Sequence, residues 1–341
     1  MSIVGIDEVT YGVLDVSTCA RYFVEWGLKL EEISATRAVL TCLNQSRVVL
    51  QVSGEFGTSR GMEPDPTLRE VVWGVETDRD LSDIAGSLRA AGHKISDDQN
   101  ICVTDPNDLT VRFQKTIKRE PGLAPTKYNP WGNFERVDAP SPVYERAEPV
   151  DIGHAVFFTE CLERVERWYV DVLGFQATDR YPDRGVFLRC SRLAGHHDIF
   201  FLQLPNKKAG LNHVAFTVRD IHEVFGGGLS FSRKGWATEI GPGRHPISSG
   251  YFWYFKCPAG GATEYSADED YCSPNWVVRE FKPTPENYAE WAALGSVDIR
   301  HREGRNAAAS VRQDHETGSV GSEGEERRSS AAASSDVAEV S

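Results

Sequence analysis

Hydrophobic and polar positions first alternate with a period of two, then take up helical spacing, and this order recurs along the chain. VTYGVLDV from residue 9 and DIGHAVFFT from residue 151 alternate as half-buried strands do. Each leads into a stretch that ends in an aromatic pair and a glycine, ARYFVEWGLKL from 20 and ERWYVDVLGFQA from 166. In the second of these Leu162, Val165, Trp168, Tyr169 and Val172 share one helical face. VVWGVETDRDLSDI from 71 and LNHVAFTVRDIHEV from 211 then read as strand followed by helix, with Asp220 and Glu223 spaced as a capping box. Both series close on a proline turn and a strand, TDPNDLTVRFQ and KCPAGGATEYS.

This repetition predicts an α+β fold of four related modules in two tandem domains, residues 1–118 and 150–275. The proline-rich stretch 119–149 reads as the linker between them. Residues 276–299 are expected to form an arm against a neighbour or a lid over a pocket. From residue 300 the composition changes: 301–341 contains no Phe, Trp, Tyr, Leu or Ile. Such a segment cannot bury enough apolar surface to offset its ordering entropy, so 300–341 is expected to be a disordered tail.

Charge narrows the partners. Fifty acidic residues against 37 basic ones leave a net charge of −13, which disfavours nucleic acid and anionic membrane as main partners and leaves a small molecule. No run approaches the roughly 20 apolar residues of a membrane helix, and MSIVGIDEVTYGVLDV lacks a signal-peptide layout, so cytoplasmic residence is expected. The seven cysteines are scattered and never form C-x-x-C, which argues against a disulfide framework and a zinc ribbon.

The chemistry is concentrated in the second copy. Matching HVAFTVRDI to WGVETDRDL sets His213 opposite Trp73; counting from the turn proline sets Glu264 opposite Arg112; His154 falls opposite Thr10 and Tyr11. The fold therefore does not need these three residues. By alternation, His154 shares a face with Val156 and Phe158, and His213 with Ala215 and Thr217, so both imidazoles can meet over one cavity. Two imidazoles and a carboxylate on rigid strands suit Fe(II) with coordination positions left open. A lone strand histidine is more often a satisfied half-buried residue, but here three such residues would have to be incidental together. The His196–His197 pair, His245 and Tyr254 are weaker signals by themselves. Phe200, Trp253 and Phe255 could line a pocket or belong to the core, and Arg244 could meet a substrate carboxylate or close a salt bridge.

GHAVFF, AGHHDIFF, GLNHVAFTV, GPGRH and YFWYFKCPAGGATEYSADEDY resemble the motifs of type I extradiol ring-cleaving dioxygenases of the vicinal oxygen chelate superfamily, over essentially residues 1–275. The resemblance implies two tandem vicinal-oxygen-chelate domains, each of two βαβββ modules curved into an open β-barrel around a cavity, the first without a metal. It implies Fe(II), or Mn(II) in its place, on His154, His213 and Glu264. His197 would be the acid/base, His196 being the alternative, with His245 and Tyr254 orienting the substrate. A catechol-type aromatic and O2 would react to a ring-opened product, and a homo-oligomer is implied. The competing readings are a metal-dependent glyoxalase-like isomerase or lyase, a hydroxyphenylpyruvate-type dioxygenase, and a binding module without catalysis.

Overall fold

The computed structural model describes residues 2–54 and 61–293. The expected tail at 300–341, and the last residues of the expected arm, lie outside them.

Residues Met1–Val297 fall in one compact unit. The first half starts with β1 (Ile3–Val13), α1 (Val16–Trp26), β2 (Lys29–Ile33), β3 (Arg37–Thr41) and β4 (Arg47–Val52). It continues with β5 (Thr67–Val75), α2 (Asp78–Ala90), β6 (Ile101–Thr104) and β7 (Thr110–Lys115). In the second half come β8 (Asp151–Phe158), α3 (Leu162–Arg167) with a π turn at Trp168–Val172, β9 (Gln176–Tyr181), β10 (Gly185–Arg189), β11 (Ala194–Gly195) and β12 (Ile199–Leu202). These lead to β13 (Gly210–Thr217), α4 (Ile221–Arg233), β14 (Thr238–Arg244), β15 (Tyr251–Lys256) and β16 (Ala262–Ala267). The chain finishes with β17 (Tyr271–Cys272), β18 (Arg279–Glu280), a helical turn α5 (Pro285–Tyr288) and β19 (Trp291–Ala292).

The two main sheets have the orders β2-β3-β4-β1-β5-β7-β6 and β18-β9-β10-β12-β8-β13-β16-β15-β14-β19. Both are built around the same four central strands: β4-β1-β5-β7 and β12-β8-β13-β16 pair parallel, antiparallel, parallel. Residues 92–100 form no strand after α2, whereas β14 follows α4, so the second module of the first half is one strand short.

Helix starts follow local chemistry. Thr77 and Asp80 form a reciprocal capping box on α2. On α4 the Asp220 carboxylate accepts from Glu223 N at 3.0 Å, but Glu223 does not return to the cap. Its carboxylate accepts instead from Arg219 N and Glu148 N, both at 2.7 Å, tying the linker down. Gly27 ends α1 at φ 114°, and a Cβ there would lie 2.0 Å from Ala147 O, so the helix end and the linker require glycine.

The core crosses from one half to the other. Trp26 stacks on Tyr265 at 3.5 Å, Tyr22 bonds Thr263 at 2.6 Å, and Trp73 meets Phe175 edge-on at 5.1 Å. The seven cysteines are free. Among the described residues no helix is long and apolar enough to cross a membrane.

Asp105, buried in the turn before β7, accepts from Asn107 N at 2.8 Å, Leu109 N at 2.9 Å and Tyr169 OH at 3.0 Å. Burial outweighs these bonds and pushes its pKa up to about 6. A folded pKa above the usual carboxyl value means that its contribution is fully present below about pH 4 and lost as pH rises through about 6. Asp105→Asn keeps a carbonyl acceptor and removes the charge. Its stability relative to the parent chain is expected to rise between about pH 4 and pH 7 by at most about 3 kcal/mol. Denaturant melts at several pH values read this; a pH-independent difference counts against it.

Candidate active site

The central strands of the second sheet bring the expected ligands together. Across β8, β13 and β16, Ala215 faces His154 on one side and Glu264 on the other, and His213 lies two residues along on the same face. His154 Nε2 and His213 Nε2 each lie 3.2 Å from Glu264 Oε2 and 3.3 Å from one another. All three residues are buried.

Hydrogen bonding decides what this triangle is. His213 Nδ1–H donates to Asn212 Oδ1 at 2.6 Å, which leaves the lone pair on Nε2. His154 Nδ1 faces Glu269 Oε1 at 3.7 Å, which favours the same tautomer. Glu264 Oε2 makes no hydrogen bond. Three electron-rich atoms thus converge on one buried point, which is unfavourable unless a cation or proton joins them. Three cis ligands with bonds of about 2.1 Å to an octahedral ion are about 3 Å apart, so the triangle fits one face of such an ion.

Electrostatics agree. Burial would raise Glu264, but the imidazoles of His154, His213 and His245 outweigh it and hold the carboxyl well below the usual range. Burial would lower His154, but Glu264 and Glu269 raise it above the ordinary imidazole value. Burial lowers His213. Without metal, a proton on His154 therefore takes the cation's part. Metal uptake is expected to release that proton, and affinity to fall about tenfold per pH unit on acidification below the raised pKa of His154. Titration calorimetry with Mn(II) in buffers of different ionisation heat measures this; proton-independent uptake would contradict it.

The first half has the same geometry with the charges inverted. Val72, between Glu8 and Arg112, stands where Ala215 does, and Glu70 lies two residues before it. The counterparts of His154, His213 and Glu264 are therefore Glu8, Glu70 and Arg112. Glu70 replaces Trp73 as the partner of His213, and Glu8 replaces Thr10 and Tyr11 as that of His154. The matched Arg-Asp pairs mislead because α2 is capped at Thr77, three residues earlier relative to α4's cap at Asp220 than that match requires. Arg112 Nε bonds Glu70 Oε2 at 2.9 Å, and Arg47 Nε meets Glu8 Oε2 at 2.5 Å, so guanidinium groups supply the positive charge there.

A cavity lies over the triangle, bordered by His154, His213, His197, His245 and Tyr254. Glu264 lies beneath it. His197 lies beside His154 with the rings tilted by 33° and their centres 4.0 Å apart, and burial lowers its pKa well below the ordinary value, with His154 adding to the effect. His245 Nδ1–H donates to Tyr288 O at 2.6 Å, and its Nε2 accepts from Tyr254 OH at 3.1 Å. His196 is turned away from the cavity and fully buried.

The far wall is apolar. Val156, Tyr181, Phe187, Phe200, Leu202 and Ile247 form it, with Phe187 and Phe200 stacked at 4.0 Å. Of the three ambiguous aromatics only Phe200 borders the cavity. Trp253 and Phe255 point to the opposite face of β15 and join the core. Arg244 pairs with Glu290 and does not border the cavity. Among the described residues no lysine or arginine lines it, and Glu269 adds an acid.

Sequence reasoning does not single out Asn212, Glu269 or Tyr288. Asn212 is detectable as the polar neighbour of a strand histidine; the other two reach the site through tertiary contacts.

Residues 151–265 match the model of the Glyoxalase/Bleomycin resistance protein/Dioxygenase superfamily. Metapyrocatechase 2 of Cupriavidus necator is 28% identical over 222 residues, 62% of this chain and 68% of that protein. The Mn(II)-bound glyoxalase from Novosphingobium aromaticivorans superposes with a TM-score of 0.67 at 24% identity, covering 87% of this chain and 93% of that one. The 2,3-dioxygenase LapB from Pseudomonas sp. KL28 does so with a TM-score of 0.64 at 19% identity, covering 83% and 98%. At these identities the solved structures establish the fold.

Proposed function

We infer that this chain, a member of the Glyoxalase/Bleomycin resistance protein/Dioxygenase superfamily through residues 151–265, is an extradiol dioxygenase that opens a catechol-type ring with O2. The observation that carries this reading is the triangle of His154 Nε2, His213 Nε2 and Glu264 Oε2 beneath an aromatic-walled cavity. A metapyrocatechase among its relatives supports it.

His154, His213 and Glu264 would hold the metal, Fe(II) in this reading with Mn(II) as the substitute. The chemistry such a metal would supply there is Lewis-acid and redox, bringing catechol and O2 together and allowing electrons to pass from one to the other. The protein's own groups do the rest. His197, neutral at pH 7, accepts a substrate hydroxyl proton at Nε2 and returns it as the ring opens. Tyr254 OH and His245 Nε2, fixed by Tyr288 O, orient the substrate oxygens. Phe187 and Phe200 exclude water beyond the ring. Both atoms of O2 end in the product, so no external reductant is consumed.

The cavity also selects the ring substituent. With no lysine or arginine on its wall among the described residues and Glu269 at its edge, a carboxylated catechol would bury its charge unpaired. Alkyl- or aryl-substituted catechols are expected to exceed carboxylated ones in kcat/KM by about 10²-fold. Anaerobic loading with Fe(II), then oxygen uptake and product mass across both sets, tests the whole reading. No uptake with any catechol, or isomerisation without uptake, overturns it; a preference for carboxylates overturns the substituent assignment alone.

A further inference from the structure

The outer histidine of the pair has no part in the chemistry above, yet it is fully buried and held at both ring nitrogens. His196 Nε2 lies 2.9 Å from Asp179 Oδ2, and its Nδ1 lies 3.1 Å from His197 Nδ1. Asp179 is fully buried. Arg279 holds its carboxylate from the far side, through the backbone N at 3.0 Å, Nε at 3.1 Å to each oxygen, and Nη2 at 2.6 Å.

Donor and acceptor rules then leave one arrangement for neutral rings. An ionised carboxylate only accepts, so His196 carries its hydrogen on Nε2 and a lone pair on Nδ1. That lone pair can only accept, so the hydrogen between the two rings belongs to His197 Nδ1. His197 is left with a bare Nε2, the nitrogen it needs as a base beside the cavity. We propose that Arg279, Asp179 and His196 are positioning residues that hold His197 in its Nδ1–H tautomer. The use made of that tautomer rests on the dioxygenase reading; the tautomer itself does not. The logic is that of a hydrolase triad, where an aspartate fixes a catalytic imidazole, lengthened here by one imidazole and anchored by an arginine from beyond the last repeat.

The test reads the tautomers directly, by long-range 1H–15N spectra of the imidazoles in the whole chain loaded with Zn(II). The expected result is Nε2–H on His196 and Nδ1–H on His197. In Asp179→Asn, His197 should lose its single tautomer. The Fe(II) form of that variant should lose about 10²-fold in kcat, with metal content and anaerobic catechol affinity within about twofold of the parent. If that variant does not fold, Arg279→Gln, which leaves the carboxylate without its anchor, should give the same mixing of His197 tautomers. Nε2–H on His197 in the parent chain overturns the proposal, as does an unchanged tautomer in the variants. A purely structural role would move stability, metal content and KM together without moving the tautomer. A parent chain that shows the expected tautomers but turns over no catechol would sink the dioxygenase reading and support this one.

Discussion

Glu264→Gln is expected to cost at least about 10²-fold in metal affinity, a loss that removing even a supporting partner of a ligand can produce, and to abolish turnover with it. The amide keeps the shape but not the charge that faces His154 Nε2 and His213 Nε2 at 3.2 Å. A neutral oxygen there cannot offset a divalent cation in a buried site. The stabilisation that bound metal gives the parent chain should vanish as well, since that gain scales with ligand concentration over Kd. Metal per chain after desalting, and melting temperature with and without Mn(II), are the measurements. Stoichiometric metal and full oxygen uptake in the variant would remove Glu264 from the ligand set. His213→Ala should behave in the same way, and its failure to do so would sink the ligand assignment as a whole.

His197→Ala is expected to behave differently. The residue borders the cavity beside His154 but is not one of the triangle's three residues, so metal content and anaerobic catechol affinity should stay within about twofold. kcat should fall by about 10²–10⁴-fold, the usual worth of a positioned acid/base. Added imidazole should restore part of the rate, because the space left beside His154 is shaped for a five-membered ring. Unchanged kcat would move the proton to His245, which already bonds Tyr254 OH. If His196→Ala reproduced the full pattern while His197→Ala kept the parent's kcat, the roles within the pair would be reversed.

Much of the site is legible in the sequence because a strand's period of two constrains side-chain direction. Alternation alone sets His154 with Val156, and His213 with Ala215, on one face. It also bears on the YFWYF run: a cavity-facing Tyr254 sends Trp253 and Phe255 to the other side, where they pack in the core. The repeat register is harder. An identical Arg-Asp pair suggests one alignment, but helix capping and the strand ladder obey another, which exchanges Trp73 for Glu70. His196 and His197 sit outside the strands in a bend, where alternation says nothing. Only tertiary placement separates them, one against Asp179 and the other against His154. Glu269, Tyr288 and Asp179 reach their partners across long stretches of chain, and no spacing rule carries that information.

Residues 279 to 292 span the large sheet from margin to margin. Arg279–Glu280 pairs with β9 on one side, and Trp291–Ala292 pairs with β14 on the other. Between them Tyr288 O receives His245, and Asn287 O receives Tyr181 OH. The segment makes an open sheet behave as a hoop, fastened at both margins by the last described stretch of chain. A single protease cut inside it would release the anchor of Asp179 and the partner of His245 together, although it removes no ligand. Nicked protein should therefore hold its metal while losing its rate, so intact length at this segment is a better guide to an active preparation than metal content.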